Sequence, residues 1–267
     1  MLAFLRSRKE KALESKINTA IRASKPEKLR ALLSKGMDKE VISGKELAGF
    51  LSHAIGQGQI ECVEELLKAG ASLRDEGFNP PVLEALFVKN VKMLKLLLDY
   101  GANTDKVPMD WFSPLGFAAE LGKFDCFKML LLYGADPDYN RSHRDLLSGT
   151  ADATSMLRMC LESYYEAPFV ELLIQFGANM YLPDIQKVLH HDYDGTRLLN
   201  REKAHPRSLK SQCRIAIRRR LKQVGKLRLI DQIDIPDQLA KYLQHHNLLF
   251  GPQEPVQCIR PKISVCP

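Results

Sequence analysis

Three side chains near the C-terminal end of the chain are spaced for recognition of a partner, namely Leu209, Cys213 and Ile217. Residues at i, i+4 and i+8 share one face of a helix, so they predict an apolar stripe. The stripe continues through Ala216, Arg220 and Val224. A few short helices over ~40 residues rarely bury enough apolar area to fold alone. We therefore expect this segment to pack on the preceding domain, on a partner, or on both.

A basic run overlaps the same predicted helix. Between Arg201 and Arg228 the chain has eleven basic residues and one acid, Glu202, so the net charge of +7 belongs to this segment. The run Arg218-Arg219-Arg220 suits phosphate binding or nuclear import. However, residues 218–228 contain no aromatic side chain on which a base would stack. We favour a solvated basic face, with some arginines pairing with acids of a partner or of the repeats, and we expect no nucleic-acid partner.

Other candidate chemistry is weak. The pairs His190-His191 and His245-His246 lack the i, i+4 spacing of a helical zinc site, and no cysteine lies at zinc-finger distance. The sequence has no nucleophile elbow, phosphate-binding loop or kinase signature. We therefore expect no catalytic residue, no metal, no cofactor and no small-molecule substrate.

An internal repeat precedes the apolar stripe and the basic run. A motif recurs at glycines 31 to 43 residues apart, namely Gly36, Gly70, Gly101, Gly134 and Gly177. A leucine pair, Leu-Ile in the last copy, precedes each glycine with two residues between, and Ala follows the glycine in all copies but the first. The leucines fit the buried face of a second helix, and glycine ends that helix in a left-handed conformation. Ser113-Pro114-Leu115-Gly116-Phe117-Ala118-Ala119 then fits the start of a first helix, with proline at its first turn. The period resembles the ankyrin repeat.

The C-terminal segment resembles a SOCS box. Ser208, Leu209, Cys213 and Ile217 match its elongin-binding pattern, Ser/Thr-Leu-x-x-x-Cys-x-x-x-Ile. With the repeats, the chain resembles the ankyrin repeat and SOCS box family over roughly residues 14–246. The resemblance implies that Leu209, Cys213 and Ile217 bind elongin C, which is joined to elongin B. The alternative is that the stripe only covers the end of the solenoid.

A second SOCS-box motif is altered. The family's cullin box is usually Leu-Pro-x-Pro, whereas this chain reads Ile233-Asp234-Ile235-Pro236, followed by Leu239-Ala240-Lys241-Tyr242-Leu243. The resemblance implies that residues 233–236 bind cullin-5, which carries a RING-box protein. The chain would then be a non-catalytic substrate receptor, whose ankyrin array binds an unknown target for ubiquitination and degradation. Asp234 motivates the alternative, an elongin-binding scaffold without productive cullin recruitment.

The predicted architecture is all-α. We predict an N-terminal extension over residues 1–13, five ankyrin repeats with hairpin fingers over 14–180, a linker or cap over 181–205, a SOCS box over 206–246 and a tail over 247–267. The fourth interval between glycines holds an insertion within residues 139–154. Aromatic residues are enriched at binding hot spots, so Asp110, Trp111 and Phe112 beside a finger are the best candidates for target binding. The alternative is that Trp111 packs between repeats.

No apolar run approaches the ~20 residues that a membrane-spanning helix needs. The N-terminus becomes charged at Arg6, too early for a signal peptide. The six cysteines have no CxxC spacing and favour reduced thiols. We therefore expect a location in the cytoplasm, or in the nucleus as well, and no membrane partner.

Overall fold

The structure, a computed structural model, describes residues 2–37, 42, 44–73, 80–105, 113–138, 155–162, 166–182, 185, 194–205 and 207–245. No strand occurs among these residues, which confirms the predicted all-α class. The described α-helices are α1 Leu2–Arg22, α2 Pro26–Met37, α3 Gly44–Gly56, α4 Ile60–Lys68, α5 Pro81–Phe87, α6 Val91–Asp99, α7 Pro114–Glu120, α8 Phe124–Leu132, α9 Met156–Glu162, α10 Glu166–Phe176, α11 Asp194–Ala204, α12 Leu209–Gln223 and α13 Asp237–Leu243. A 3-10 helix, Leu227–Gln232, lies between α12 and α13.

The first ten helices form five stacked antiparallel pairs, α1–α2 through α9–α10. Within the stack, each first helix contacts the first helix of the next pair, and each second helix contacts the next second helix. One continuous apolar core runs from Ile17 to Leu199 and includes the paired leucines of the repeat motif. Because each pair buries its apolar face against its neighbours, the array is a quasi-one-dimensional solenoid.

Glycine ends four of the five second helices as predicted. Gly70, Gly101, Gly134 and Gly177 have φ between +89° and +99°. The amide after each glycine bonds back into the last turn, as when Ala135 N donates to Leu130 O at 2.9 Å.

The prediction is wrong for Gly36, which lies inside α2 and is not left-handed. There the packing explains the residue, because a Cβ at Gly36 would collide with the side chain of Ile42.

The two ends of the array differ. Helix α1 begins at Leu2, so the segment predicted as an extension over residues 1–13 is helical from that residue onward. At the other end, α11 packs on α10 and buries Leu199 completely. The helix lies within residues 181–205, for which the sequence predicted a linker or a cap.

The C-terminal helices have a small core of their own. Leu227, Ile230 and Leu243 are buried together, with Leu221, Ile235 and Ala240 packed around them. A cluster of this size cannot stabilise a domain alone. The segment instead lies across the C-terminal ends of α6, α8 and α10.

Candidate partner-binding site

Helix α12 presents the candidate site. Ser208 caps its first turn, where the hydroxyl accepts a hydrogen bond from Ser211 N at 3.2 Å. The cap places Leu209 at the first helical position and sets the register of the stripe.

One face of α12 packs on the array at the glycines that end the second helices. Ile215 is buried and contacts Gly177 so closely that a Cβ there would lie 2.7 Å from Ile215 Cγ2. One repeat earlier, a Cβ at Gly134 would lie 2.5 Å from Leu227 Cδ2. The glycines therefore serve two purposes, since they end the helices and they admit apolar side chains of the C-terminal segment.

Arginines of the C-terminal segment bind carbonyl groups at the ends of the second helices. Arg218 Nη2 donates to Leu132 O at 2.7 Å and to Leu131 O at 3.2 Å, at the end of α8. Arg228 Nη1 donates to Leu98 O at 3.3 Å and Asp99 O at 3.2 Å, at the end of α6. Helix C-termini carry partial negative charge and unpaired carbonyls, so cations are stabilised there.

A third arginine and a lysine extend the pattern. Arg219 Nη2 donates to Gly177 O at 3.0 Å, just beyond the end of α10. Lys222 Nζ lies 2.5 Å from Asp105 Oδ2, and Arg219 Nη2 lies 4.0 Å from Asp138 Oδ2. The prediction of a solvated basic face is therefore wrong in part, although the predicted pairing with acids of the repeats is present.

The opposite face of α12 carries the predicted stripe. Leu209 is 77% exposed and Ile217 38% exposed, and Cys213 is also exposed. Ala216, Arg220 and Val224, the predicted extension of the stripe, are exposed as well. The alternative in which this stripe covers the solenoid end is therefore wrong, because other residues of α12 make the contact with the array.

Comparisons with known proteins agree with this architecture. A SOCS box family model matches residues 205–244, and a model of three ankyrin repeats matches residues 51–141. The chain thus has ankyrin repeats followed by a SOCS box, the two modules of the ankyrin repeat and SOCS box family. The family resemblance inferred from the sequence is thereby confirmed.

Curated ankyrin repeat and SOCS box proteins align with parts of the chain. Mouse "Ankyrin repeat and SOCS box protein 12" is 43% identical over 57% of this chain and 53% of its own length. Human "Ankyrin repeat and SOCS box protein 1" is 32% identical over 49% of this chain and 42% of its own length. The chain thus spans about half the length of these relatives. The solved ankyrin repeat domain of human ASB11 aligns with 72% of this chain and 99% of that chain, at a TM-score of 0.48 and 20% identity.

Within the SOCS box, the residues predicted to form the altered cullin-box motif follow the 3-10 helix. Asp234 and Pro236 are exposed, while Ile233 and Ile235 are half-buried. Pro236 precedes the first residue of α13, where its fixed φ suits a helix start. Of the later residues, Leu239 is exposed and Leu243 is buried in the small core, so they do not form one common surface.

Tyr242 joins α13 to α12. Its ring lies 4.7 Å from both Lys210 Nζ and the Arg214 guanidinium carbon. These cation–π contacts hold α13 against the first half of α12.

Sequence reasoning missed the central role of Arg218. The side chain is 7% exposed, although arginine is rarely buried without a partner. Burial lowers the pKa of Arg218 to about 10, far above neutral pH, so it stays charged. A signal was available in the sequence, since Arg214, Arg218 and Lys222 recur every four residues on the side of the helix away from the stripe.

His245 was considered only as a metal candidate. It stacks on Phe176 with ring centroids 4.0 Å apart, and burial with two nearby arginines lowers its pKa to about 2. Its imidazole is therefore neutral and acts as an aromatic packing element. Among the described residues, no cluster of metal-ligating side chains occurs, and no described helix is long and apolar enough to cross a membrane.

Several predicted features lie outside the described residues. They are the target-binding candidates Asp110, Trp111 and Phe112, the insertion at residues 139–154, and the pair His190-His191. Their proposed roles stay predictions.

Proposed function

We propose that this chain is a substrate-recognition subunit of a ubiquitin ligase that contains elongin B, elongin C, cullin-5 and a RING-box protein. The observation that carries the proposal is the direction of the stripe formed by Leu209, Cys213 and Ile217. It points away from the array on a helix whose other side is already packed. Such a surface fits a protein partner better than it fits solvent.

The proposed elongin contact has a single main anchor. Leu209 exposes 77% of its surface at the start of α12, so its side chain is free to enter a partner's pocket. Truncating an anchor that is buried in a partner's pocket typically costs about 2 kcal/mol or more of binding free energy, which is roughly a 30-fold loss of affinity. Cys213 and Ile217 lie one and two turns further along and would pack beside the same pocket.

The chain's own contribution to ubiquitination is proximity. In the proposed complex the array binds a target while the SOCS box binds the ligase, which raises the effective concentration of target lysines near the charged transfer enzyme. The cysteine that carries ubiquitin would then belong to another subunit. This assignment rests on the family resemblance together with the exposed stripe.

The first experiment is co-purification of the full chain with elongin B–elongin C and cullin-5. We expect Leu209→Ala/Cys213→Ala to lose the elongins and the cullin, whereas Leu229→Ala, another exposed leucine of the SOCS box, keeps them. Absence of elongins from the wild-type complex would exclude the proposal and leave an ankyrin adaptor. Equal loss in the Leu229 variant would show that the stripe is not the specific anchor.

A second candidate function is an elongin-binding scaffold that does not recruit cullin-5. The exposed Asp234 favours it, because the family has proline at that position. The residue before position 234 already suits a proline there, since Ile233 has φ −85° and ψ 135°, the extended region that a residue before proline prefers. If wild type binds elongins but not cullin-5 and Asp234→Pro restores cullin-5, the scaffold is correct. Tight cullin-5 binding by the wild type would exclude it.

A further inference from the structure

We propose that Arg218, supported by Arg228, is a positioning residue that fixes the direction of the SOCS box on the ankyrin array. Its role in orienting a ligase rests on the proposed function. The mechanical role does not, because it concerns contacts within this chain alone.

The guanidinium group of Arg218 joins three elements. Nη1 donates to Leu243 O at 2.6 Å, at the last residue of α13. Nη2 donates to Leu131 O and Leu132 O at the end of α8. The same group lies over Phe176 of α10, with its carbon 5.2 Å from the ring centroid. A single side chain of α12 therefore hydrogen-bonds α8 and α13, and it contacts the next repeat through the Phe176 ring.

Some of the carbonyl oxygens that Arg218 and Arg228 bind receive no hydrogen bond from the backbone amides that cap the helix. At the end of α8, Gly134 N and Ala135 N already bond to Leu131 O and Leu130 O, but neither reaches Leu132 O. The arginine supplies that missing donor. Arg228 does the same for Asp99 O, one repeat earlier. The spacing between these two contacts equals one repeat, so together they set both the position and the direction of the segment along the array.

Acidic residues that follow the second helices also help to fix the position of the SOCS box along the array. Asp105 Oδ1 accepts from Asp136 N at 2.8 Å while its other oxygen binds Lys222. Asp138 Oδ1 accepts from Asn179 N at 2.7 Å, and its other oxygen faces Arg219. Each aspartate thus ties neighbouring repeats together and contacts a SOCS-box cation.

Clamping one side of α12 determines where the other side points. Successive residues of a helix are rotated by about 100°, so Arg218 faces away from Cys213 by about 140°. While Arg218 holds the helix on the array, the exposed stripe keeps a fixed angle to the target-binding repeats. The distance between a bound target and the ligase is then a property of the chain and not of a flexible linker.

Arginine is specifically suited to this role. Its planar fork directs donors toward Leu243 O and Leu132 O at once, whereas a lysine ammonium concentrates its charge at one point. We therefore expect Arg218→Lys to keep the charge and lose the geometry. Arg220→Met is the matched control, because Arg220 lies on the same helix, is exposed, and bonds only to Gln223 among the described contacts.

The test measures the distance between the SOCS box and the array in the free full-length chain. Spin labels at Lys92→Cys on α6 and Lys241→Cys on α13, in a background with Cys213, Cys258 and Cys266 replaced by serine, report it by double electron–electron resonance. We expect a narrow distribution in the wild type and in Arg220→Met. We expect at least a twofold broader distribution in Arg218→Lys and Arg218→Met.

Hydrogen exchange by mass spectrometry separates positioning from folding. In Arg218→Met, amides of α12 and α13 should exchange about tenfold faster or more, while those of α1–α6 stay at wild-type rates. If the whole array exchanges faster, Arg218 is a general folding residue and the proposal fails. It fails equally if the distance distribution stays narrow.

Arg228→Met is a second variant that keeps the proposal testable if substitution of the buried Arg218 unfolds the chain. Arg228 is exposed. Its substitution should loosen the 3-10 helix without unfolding the array, and unchanged exchange there would contradict its supporting role. Elongin affinity is measured in parallel on Arg218→Lys. If the wild type does not bind elongins, the proposed function is wrong. The distance measurement still tests whether Arg218 positions the SOCS box on the array.

Discussion

Gly177→Ala tests whether the packing of the SOCS box on the array contributes to stability. Gly177 has φ +96°, and an added Cβ would lie 2.7 Å from Ile215 Cγ2 and 3.2 Å from Ile215 Cδ1. Two costs therefore add. The left-handed backbone costs an alanine about 1–2 kcal/mol, and overpacking against a buried side chain costs about 1–3 kcal/mol.

Gly70→Ala isolates the first cost. Gly70 has φ +89°, almost the same backbone conformation, but nothing lies within 4 Å of its added Cβ. Effects of the extra methyl group on the unfolded chain are similar at both positions and cancel in the comparison. We expect Gly70→Ala to lower the free energy of unfolding by about 1–2 kcal/mol and Gly177→Ala by about 2–5 kcal/mol.

Equilibrium urea unfolding followed by far-UV circular dichroism measures both changes. The decisive comparison repeats Gly177→Ala in an Ile215→Ala background, where the collision is removed. In that background, Gly177→Ala should lose its excess cost of about 1–3 kcal/mol, and this difference is the coupling energy between positions 177 and 215. Equal costs for the two glycine variants, or an excess that survives in the Ile215→Ala background, would refute this account of the interface.

Three further predictions concern single side chains of the array and of α12. The hydrogen bond from Arg30 lowers the pKa of Glu65 from 4.5 to about 2, so stability from this pair is present above pH 4.5 and is lost as the pH falls toward 2. Acid titration of the thermal midpoint should show this loss in the wild type and a smaller one in Glu65→Gln. Iodoacetamide should alkylate the exposed Cys213 in the native chain but reach Cys126 only after denaturation, because Cys126 is buried and burial raises its pKa to about 11. Peptide mass spectrometry checks this order, and native labelling of Cys126 would contradict it. Ser113→Ala should lower stability by about 1 kcal/mol, because a buried hydroxyl that caps α7 is lost. Urea unfolding with Ser113→Thr as the control, which keeps a hydroxyl at the cap, tests it.

The sequence alone was sufficient to predict the repeat architecture and the family. Helix pairs, leucine spacing and terminating glycines are local features, and each repeat needs only its immediate neighbours. The SOCS-box stripe was equally readable, since a four-residue spacing on one helix fixes which side chains share a face. Even so, Gly36 fitted the motif and does not end a helix, because packing against Ile42 decides that position.

Only the tertiary structure determined how the SOCS box sits on the array. Arg218 and Leu132 are 86 residues apart in sequence, and Arg228 and Asp99 are 129 apart. No local pattern specifies which arginine will meet which helix end. From sequence alone, a basic run fits exposure to solvent, phosphate binding and contact with a helix C-terminus equally well. The choice is made when folding brings carbonyl oxygens that can still accept a hydrogen bond close to the arginines. That selection buried Arg218 against the array and left the apolar stripe exposed to a partner.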